Sequence, residues 1–441
     1  MGAPGLLLAA PHSGAGKTTA ALVLAAAFRA RGLSVQGFKV GPDYIDPTHL
    51  SEVTGRPVYN LDGYFLGEGG VRWLYQSRSE GADLALVEGV MGLFDGKDPL
   101  GKEGSAAQVA KALGLPVVLV VDAGAMAGSI AALARGFRDH DPDLAFAGVI
   151  ANRVAGPGHA EVLRAALLAA GIPFLGYLPK DPGLHIPERH LGLVLAGEAG
   201  PSEEALLKAA ATLDLEGLLA AAQGARTLPL VPPPYDPERR YEGARIAYAR
   251  DAAFRFYYPE VLETLSALGA ELIPFSPVSD ARLPEGARLV WLGGGYPELL
   301  APALSENRAM RRAIRDFPGL IFAECGGYMY LAEGVVYEGR RYSMVGRIPG
   351  EARVEPRPVL GYREVEARAA TPLFPAGERI RGHEFHYARM AEAGPPLWAD
   401  GTGYGDDRVH ASFVHLYLLS NPTVLYRFLE GSGGRLAGSA G

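Results

Sequence analysis

Residues 6–19 have the sequence Leu-Leu-Leu-Ala-Ala-Pro-His-Ser-Gly-Ala-Gly-Lys-Thr-Thr, an apolar run followed by a glycine-rich turn and a lysine. The run Leu6–Ala10 predicts a β-strand, and the alanine- and leucine-rich stretch after the turn predicts a helix over Thr18–Arg31. Glycines between a strand and a helix allow backbone N–H groups to close around phosphate oxygens, and the helix N-terminus adds a favourable dipole. We therefore predict a phosphate-binding loop, with a chance glycine-rich turn as the alternative.

Lys17 and Thr18 are the chemically important residues of this loop. Lys17 is predicted to reach the β- and γ-phosphates of a nucleotide, and the Thr18 hydroxyl is predicted to ligate Mg²⁺. Pro11 stands where the first glycine of the common motif would be, so the entry to the loop departs from that pattern. The predicted ATP-binding residues of the loop are Ser13, Gly14, Gly16, Lys17, Thr18 and Thr19.

Beyond this loop, short apolar runs alternate with alanine- and leucine-rich stretches as far as about residue 225. The runs predict strands at Val35–Val40, Ala82–Val87, Pro116–Val121, Phe146–Ala151 and Ile172–Leu178. The stretches between them predict helices at Ala106–Leu113, Ser129–Arg138 and Ala160–Ala170. This alternation predicts an α/β fold with a doubly wound parallel sheet and right-handed crossovers.

A proline-rich segment divides the chain. Residues 227–242 include Leu-Pro-Leu-Val-Pro-Pro-Pro-Tyr-Asp-Pro and predict a semi-rigid linker between a first domain at 1–226 and a second at 243–430. The second domain has its own α/β rhythm, with strands predicted at Arg245–Ala249, Glu271–Phe275, Leu289–Leu292 and Leu320–Ala323. After about residue 335 the pattern is β-like with few helical signals, and the glycine-rich tail 431–441 is predicted to be flexible.

The composition of the chain argues against several classes of protein. A chain of 441 residues with 48% hydrophobic and 21% charged residues is typical of a globular protein with two or three domains. The net charge of −7 and the lack of a long basic run argue against a nucleic-acid partner. The single cysteine excludes an intrachain disulfide and favours the cytoplasm. Leu6–Ala10 is too short to span a membrane and lacks the basic residues of an export signal.

Charged residues follow the second predicted strand in the sequence Phe38-Lys-Val-Gly-Pro-Asp-Tyr-Ile-Asp-Pro. Lys39, Asp43 and Asp46 are therefore expected at the carboxyl edge of the sheet, where ligands bind in open α/β folds. Asp43 is predicted to bind a metal ion or to orient a substrate carboxylate. A solvated polar turn is the alternative interpretation.

Other polar residues lie at the ends of neighbouring strands. Glu88, in Val87-Glu-Gly-Val-Met-Gly-Leu-Phe-Asp-Gly, is predicted to hold Mg²⁺ opposite Lys17, and Asp95 lies in a loop that could close on the substrate. Asn152 has an amide suited to hydrogen bonding with a purine edge, so it joins the predicted ATP site. Asp122 is either a site residue or a helix cap. For Glu88, Asp95 and Asn152, the alternative to a functional role is a structural one.

The stretch Ile321-Phe-Ala-Glu-Cys-Gly-Gly contains the only cysteine of the chain. Cys325 is expected at a strand end beside the next helix, where free N–H groups lower a thiol pKa and hold an oxyanion. The run Trp291-Leu-Gly-Gly-Gly-Tyr-Pro-Glu leaves further N–H groups free after another strand. Cys325 is predicted to be a nucleophile, and a buried structural cysteine is the alternative. The predicted oxyanion donors are Gly294, Gly295 and Gly326.

A thiol nucleophile needs a base, and three late histidines are candidates. His415, in Ala411-Ser-Phe-Val-His-Leu-Tyr, is preferred over His383 and His386, in Arg381-Gly-His-Glu-Phe-His. The two competitors are also consistent with core or surface positions. A glycine-rich loop, Cys-Gly-Gly and a late histidine, in this order, predict a thiol amidase that releases ammonia from glutamine.

With these motifs in this order, the chain resembles the cobyrinic acid a,c-diamide synthase family as far as Ser420-Asn-Pro. The Phe38–Pro47 stretch is the most specific match. The other matching stretches are Ser13–Thr19, Val87–Gly96, Pro187–Leu193, Gly294–Glu298, Glu324–Gly327, Gly382–Tyr387 and Ser412–Tyr417. The resemblance implies a dethiobiotin-synthetase-like ATPase domain fused to a class I glutamine amidotransferase domain. It also implies amidation of the a and c acetate side chains of a corrin ring on the way to vitamin B12.

The same resemblance implies a mechanism. ATP would activate a carboxylate as an acyl phosphate, and ammonia from glutamine would displace the phosphate. The expected small-molecule partners are a corrinoid polycarboxylate, L-glutamine and ATP, and the expected cofactor is Mg²⁺. We expect no membrane partner, and the chain is expected to form a homodimer. By position, the resemblance implies that Lys17, Thr18 and Glu88 bind ATP and Mg²⁺, that Asp43 and Asp95 are catalytic, and that Lys39, Tyr44 and Ile45 bind the substrate. It implies that Cys325 is the nucleophile and that His415 is its base. It also implies that Pro187–His190 contact the corrinoid or the nucleotide.

One position departs from the class I amidotransferase pattern. These enzymes carry a carboxylate two residues after the catalytic histidine, where this chain has Tyr417. The difference predicts a Cys–His dyad with an unidentified orienting group, and slow turnover of glutamine.

Two alternatives stay open within the family and one outside it. Relatives with the same motifs amidate nickel-sirohydrochlorin or the cobalt-free hydrogenobyrinic acid. A positioning or partition ATPase with an inactive amidase domain is disfavoured, because His12 replaces the early lysine of such proteins and Cys-Gly-Gly is intact.

Overall fold

The computed structural model describes residues 2–189, 192–193, 200–390 and 394–438. The chain divides into two compact units, Met1–Pro233 and Pro234–Gly441, each with its own parallel sheet and hydrophobic core. In these described ranges, none of the helices has the length and apolar character needed to cross a lipid bilayer.

The first unit alternates strands with helices. Its strands are β1 (Gly5–Ala9), β2 (Val35–Val40), β3 (Tyr59–Leu61), β4 (Leu84–Glu88), β5 (Val117–Asp122), β6 (Phe146–Val154), β7 (Phe174–Pro179), β8 (Glu188–Arg189) and β9 (Gly192–Leu193). Its helices are α1 (Lys17–Ala30), α2 (Asp46–Thr54), α3 (Gly63–Arg78), α4 (Ala106–Leu113), α5 (Ser129–His140), α6 (Pro157–Ala169), α7 (Glu203–Ala210) and α8 (Leu215–Gln223). A 3₁₀ turn lies at Pro182–Leu184.

Seven of these strands form one parallel sheet in the order β3-β2-β4-β1-β5-β6-β7. Successive side chains of a strand point to opposite faces. Val118 and Val120 of β5 therefore join a core with α1, α7 and α8, whereas Leu119 and Val121 join a core with α5 and α6. Helices cover both faces, which confirms the predicted doubly wound sheet. Each fully buried valine or leucine contributes about 1.5–3 kcal/mol relative to an exposed one.

The second unit contains the remaining elements. Its strands are β10 (Tyr241–Glu242), β11 (Arg245–Ala249), β12 (Phe254–Phe256), β13 (Glu271–Phe275), β14 (Leu289–Leu292), β15 (Gly294–Gly295), β16 (Leu320–Glu324), β17 (Gly334–Tyr337), β18 (Arg340–Ser343), β19 (Glu351–Glu366), β20 (Arg379–Met390), β21 (Tyr404–Gly405), β22 (Val409–Ser412), β23 (His415–Leu416) and β24 (Arg435–Leu436). Its helices are α9 (Pro259–Ala267), α10 (Ala301–Glu306), α11 (Arg308–Arg315), α12 (Gly326–Leu331) and α13 (Pro422–Gly431), with a 3₁₀ turn at Leu418–Ser420.

Two larger sheets organise this unit. The first has the order β13-β11-β14-β16-β22-β21 and is parallel except at the β21–β22 edge. The second has the order β18-β17-β19-β20-β23, in which the long strands β19 and β20 pair antiparallel. The chain passes from β22 in one sheet to β23 in the other, and this brings His415 close to the end of the strand that carries Cys325.

The proline-rich segment and the tail differ from the sequence expectation. The side chain of Gln76 binds the backbone of Pro229 and Val231, so the first part of the segment is held by the first unit. Its last residues form β10, which pairs with β24 in the stretch predicted to be a flexible tail. Gly431 ends α13 and Ser432 is fully buried, so packing on the unit orders these residues. Residues 439–441 lie outside the described residues.

The following helices were not among the predicted elements: α2, α3, α7, α8, α9, α10, α11 and α13. In α3, Gly67 is non-helical and interrupts the apolar periodicity (φ 63, ψ 176). Helix α13 begins after Asn421, whose side chain accepts the N–H groups of Thr423 and Val424, in a region that the pattern predicts as β-like. The asparagine cap followed by Pro422 was a usable signal for this helix.

Candidate active sites

The loop between β1 and α1 has the geometry of a phosphate-binding loop. Gly14 and Gly16 have φ angles of 78° and 100°, a left-handed conformation that glycine adopts without strain. A Cβ atom on Gly16 would lie 2.0 Å from Nδ2 of Asn152, which donates a hydrogen bond to the Ala15 carbonyl at 2.9 Å. Ser13 is exposed and Thr19 is half-buried.

Asn152 lies near the end of β6, against the phosphate-binding loop. Its amide nitrogen holds the loop, and its oxygen accepts the backbone N–H of Arg153 at 2.8 Å. The predicted contact of its amide with a purine edge stays a prediction. Asp122, at the end of the adjacent strand, pairs with Arg153 and accepts the N–H of Gly124, so it stabilises the turn after β5 and does not cap α5.

Lys17 and Thr18 point toward the ends of neighbouring strands. Lys17 Nζ donates to the Met91 carbonyl at 2.5 Å. Thr18 Oγ1 donates to Glu88 Oε1 at 2.6 Å and lies 3.5 Å from Asp46 Oδ2. Burial, together with the charge of Lys39, lowers the pKa of Lys17 to about 8.

Lys39 is the centre of a buried cluster of charges. Its Nζ lies 2.5 Å from Asp46 Oδ2, 2.8 Å from Glu88 Oε1 and 3.7 Å from Asp43 Oδ2. Lys39 and Glu88 are 3% and 1% exposed, and buried charges of this kind persist only when they are paired. Burial lowers the pKa of Lys39, but Asp46 and Glu88 outweigh it and raise the pKa above its usual value.

The three carboxyl groups of this cluster differ from one another. Burial and the charge of Asp46 raise the pKa of Asp43 to about 7. Burial also raises the pKa of Glu88, whereas the pKa of Asp46 is lowered because Lys39 outweighs its burial. Asp43 closes the turn before α2 by accepting the N–H groups of Ile45 and Asp46 at 2.8 and 3.2 Å. Near neutral pH, Asp43 can thus carry a proton beside Asp46, whose carboxylate stays charged.

Other predicted residues surround the cluster or lie apart from it. Tyr44 and Ile45 are half-buried in the turn before α2. Asp95 is exposed and closes its own loop by accepting the Gly92 N–H at 2.8 Å, and its charge acts on Lys17. Pro187 is half-buried, and His190 lies outside the described residues.

Cys325 occupies a sharp turn between β16 and α12. Its backbone has φ 48 and ψ −106, a conformation that costs a non-glycine residue about 1–3 kcal/mol and is typical of functional sites. The thiol is 5% exposed. A Cβ atom on Gly326 would lie 2.9 Å from Pro297 Cδ and 3.2 Å from the Gly295 nitrogen, so the two glycine-containing loops meet at the nucleophile.

His415 lies against the same glycine run. A Cβ atom on Gly294 would lie 2.2 Å from Cε1 of His415, so only glycine leaves room for the imidazole. The ring stacks on His383 with centroids 4.8 Å apart, and His383 Nδ1 lies 3.1 Å from the Tyr258 hydroxyl. Burial, with smaller effects of His383 and His386, lowers the pKa of His415 well below its usual value. A neutral imidazole is the form that can accept a thiol proton.

The two competing histidines occupy different positions. Burial lowers the pKa of His383 to about 3, so it stacks on His415 as a neutral ring. His386 stacks on Phe413 and its Nδ1 lies 2.7 Å from the Ala388 carbonyl, and burial lowers its pKa to about 4.

The glycine run is less free than its sequence suggests. Gly294 and Gly295 form β15 and pair antiparallel with β12, and Gly293 donates its N–H to the Tyr257 hydroxyl at 2.9 Å. The expectation of an unpaired run at this strand end is wrong in this respect, because β12 supplies a partner strand distant in sequence.

Sequence reasoning missed Glu324 and Glu298. Glu324, 4% exposed, accepts the Leu416 N–H at 2.6 Å and the Trp291 indole N–H at 3.0 Å, and burial raises its pKa to about 8. It thereby joins the nucleophile strand to the residue after His415. An acidic residue inside an apolar strand was the available signal. Burial raises the pKa of Cys325, and Glu298 adds to this effect.

Tyr417 occupies the position where the carboxylate of other amidotransferases was expected. Its hydroxyl donates to Glu260 Oε1 at 3.0 Å, and Glu260 is fully buried in α9. The Tyr417 ring packs edge-on against Tyr258, which contacts His383. His415 therefore stacks on the imidazole of His383, and beyond that ring lie Tyr258, Tyr417 and Glu260.

Both halves of the chain match known protein families. Residues 6–194 match the CobQ/CobB/MinD/ParA nucleotide binding domain, and residues 245–423 match the CobB/CobQ-like glutamine amidotransferase domain. A cobyrinate a,c-diamide synthase of Syntrophotalea carbinolica is 44% identical, over 98% of this chain and 99% of the relative. Another, of a Synechococcus species, is 41% identical over 96% and 97%. A hydrogenobyrinate a,c-diamide synthase of Streptomyces coelicolor is 40% identical over 97% of both chains.

Proposed function

This chain belongs to the cobyrinate a,c-diamide synthase family, and from that premise we propose that it amidates the a and c acetate carboxylates of a corrinoid, using ATP and ammonia from glutamine. The observation that carries the proposal is the end-to-end match to relatives of that activity, at 44% identity, on a chain with both a phosphate-binding loop and a strained buried cysteine.

The first unit supplies the activation step. The loop N–H groups and Lys17 bind the phosphates of ATP, whose charge favours the protonated lysine. A carboxylate oxygen of the corrinoid attacks the γ-phosphorus, the bond to the bridging oxygen breaks, and ADP leaves with that electron pair. Ammonia then attacks the acyl carbon and inorganic phosphate leaves. Lys39 contacts Asp43 and also Glu88, which accepts a hydrogen bond from Thr18 of the loop, and this proximity supports a role for Lys39 and Asp43 in holding the carboxylate and the intermediate.

Thr18 and Glu88 fit a Mg²⁺ ion shared with the nucleotide. Their oxygens lie 2.6 Å apart beside the phosphate loop, and hydroxyl and carboxylate oxygens are ligands that Mg²⁺ prefers. In the part of the chain that the structure describes, no group of three or more histidine, cysteine or acidic side chains could hold a metal ion. The protein would therefore supply part of the coordination and the nucleotide the rest. When bound, the ion neutralises phosphate charge.

The second unit supplies the ammonia. His415 accepts the proton of Cys325, and the sulfur attacks the carboxamide carbon of glutamine to form a tetrahedral oxyanion. Gly326 follows Cys325 directly and approaches Gly295 of the other loop, which supports a role for the Gly326 N–H in holding that oxyanion. The proton passes from His415 to the leaving ammonia, and water hydrolyses the thioester to glutamate.

A cobalt-free substrate is the second candidate. The relative named for hydrogenobyrinate is 40% identical, and the relatives named for cobyrinate are 41% and 44% identical, so overall identity does not separate the two substrates.

Mass spectrometry of the products tests the proposal. The protein is incubated with ATP, Mg²⁺ and glutamine, and with either cobyrinic acid or hydrogenobyrinic acid. We expect conversion of two carboxylates to amides in at least one of them. If neither corrinoid is amidated in a reaction that depends on glutamine and ATP, the proposal is refuted.

A further inference from the structure

Three carboxylates oppose the ionisation of Cys325, namely Glu298, Glu324 and Glu384. Two of them are engaged in the structure. Glu324 accepts two N–H hydrogen bonds, and Glu384 forms a salt bridge with Arg363 at 2.8 Å. Glu298 opposes the thiolate more strongly than either of the others.

Glu298 lies in the turn that follows the glycine run. Its neighbour Pro297 approaches Gly326 so closely that a Cβ atom there would lie 2.9 Å from the proline Cδ. The Glu298 side chain is half-buried, and burial raises its pKa to about 7. Within the described ranges, the interaction that offsets this burial is a hydrogen bond from its own backbone N–H, and no cationic side chain stabilises the carboxylate.

A partly buried carboxylate without a cation costs free energy, and here it also disfavours the thiolate of the nucleophile. Perturbed carboxyl groups of this kind cluster at functional sites, and a ligand cation beside Glu298 would offset both costs. Glutamine carries a permanent α-ammonium group on Cα, two methylene groups from the carboxamide carbon that the sulfur attacks. The substrate therefore brings a cation to within a few atoms of Cys325.

We propose that Glu298 binds the α-ammonium group of L-glutamine and so selects this amino acid over amides that lack the charge. The inference rests on the proposed glutaminase activity and names the specificity determinant of its site. Because the ammonium neutralises Glu298, glutamine also removes the strongest charge that opposes the Cys325 thiolate. The thiol becomes a better acid only when its substrate is bound, and His415 then takes the proton.

The test compares glutamine with glutaramate, its analogue without the α-amino group. The variants are Glu298→Gln, which keeps the shape of the side chain, and Glu306→Gln as a matched control, an exposed residue at the end of α10. We expect Glu298→Gln to raise the KM for glutamine roughly 10- to 100-fold, the usual effect of losing a charge-assisted hydrogen bond. Hydrolysis of glutaramate should be unchanged or faster, and the control should behave as wild type.

Two further readouts separate this role from a structural one. The wild-type KM for glutamine should rise as the pH falls below about 7, where Glu298 takes up a proton, and Glu298→Gln should lack this rise. Ammonia-driven amidation should be unchanged in the variant. Equal losses with glutamine and glutaramate, or an unchanged KM for glutamine, would overturn the inference and leave the proposed function standing. A wild-type chain without glutaminase activity would overturn both.

Discussion

At the scale of single residues, Lys39 is the most important charge of the first unit, because it neutralises the buried Glu88 and the half-buried Asp46 next to the phosphate loop. Replacement by methionine keeps the bulk of the side chain but leaves Asp46 and Glu88 unpaired. Removing one partner of a buried ion pair costs about 3–5 kcal/mol. We expect Lys39→Met to lower the free energy of unfolding of the first unit by about this amount in urea titrations, and to abolish amidation.

Lys111 gives the matched control for that experiment. It pairs with Asp141 at 2.6 Å, but the side chain is 41% exposed. Exposed pairs contribute about 1 kcal/mol or less, so Lys111→Met should change stability little and leave amidation intact. Similar losses of stability in the two variants would contradict the role given to the buried cluster.

The lowered pKa of Lys17 has a measurable consequence for ATP binding. In the free protein this pKa is about 8, so a fraction of the molecules carry a neutral Lys17 at pH 8. Phosphate charge favours the protonated form, and ATP binding should therefore take up a fraction of a proton at pH 8 and little at pH 6. Calorimetry in buffers of different ionisation enthalpy measures this uptake. Lys17→Arg stays charged and should bind ATP without it; an uptake that persists in this variant would exclude Lys17 as its source.

Residue types at strand ends were predictable, but their partners were not. The sequence placed Lys39 and Glu88 at the same edge of the sheet, because parallel strands end together. It did not indicate that Lys39 would bond Glu88 and Asp46 directly, since that depends on the path of the turn before α2. Asn152 shows the same limit, because its hydrogen bond to the loop carbonyl depends on a close approach of β6 to Gly16.

At the scale of elements, Glu324 connects the nucleophile strand β16 with β23, which carries His415. In Glu324→Gln, an amide NH₂ group replaces one carboxylate oxygen and cannot accept a hydrogen bond. One of the two N–H donors therefore loses its acceptor, and β23 is less firmly held. We expect the kcat for glutamine hydrolysis to fall by about 10-fold or more, with KM and ammonia-driven amidation little changed. The exposed Glu333→Gln serves as control. A variant with wild-type kcat would exclude a positioning role for Glu324.

Several elements escaped the sequence analysis for identifiable reasons. The strand pair β12–β15 joins two short segments far apart in the chain, and no local pattern signals such pairing. Helix α13 lies within a β-rich region and depends on tertiary packing of Val424, Leu425 and Phe428, which are at most 1% exposed. In contrast, apart from β3 and β22, the parallel strands of the sheets that contain β1 and β11 were predicted, since continuous apolar runs are typical of strands in parallel sheets.

At the scale of the whole molecule, the chain joins two chemistries that need each other. One unit has the features needed to make a carboxylate reactive, and the other has those of a thiol amidase. The two activities should therefore separate by mutation, because ammonia in solution can replace the product of the second unit.

The most direct test of this division is amidation by two variants, each supplied with ATP, Mg²⁺ and corrinoid, and with either glutamine or ammonium chloride. Cys325→Ala should make the diamide from ammonium chloride but not from glutamine, and Lys17→Ala should make it from neither. Diamide formation from glutamine by Cys325→Ala, or its loss with both nitrogen sources while the protein remains folded, would contradict the account.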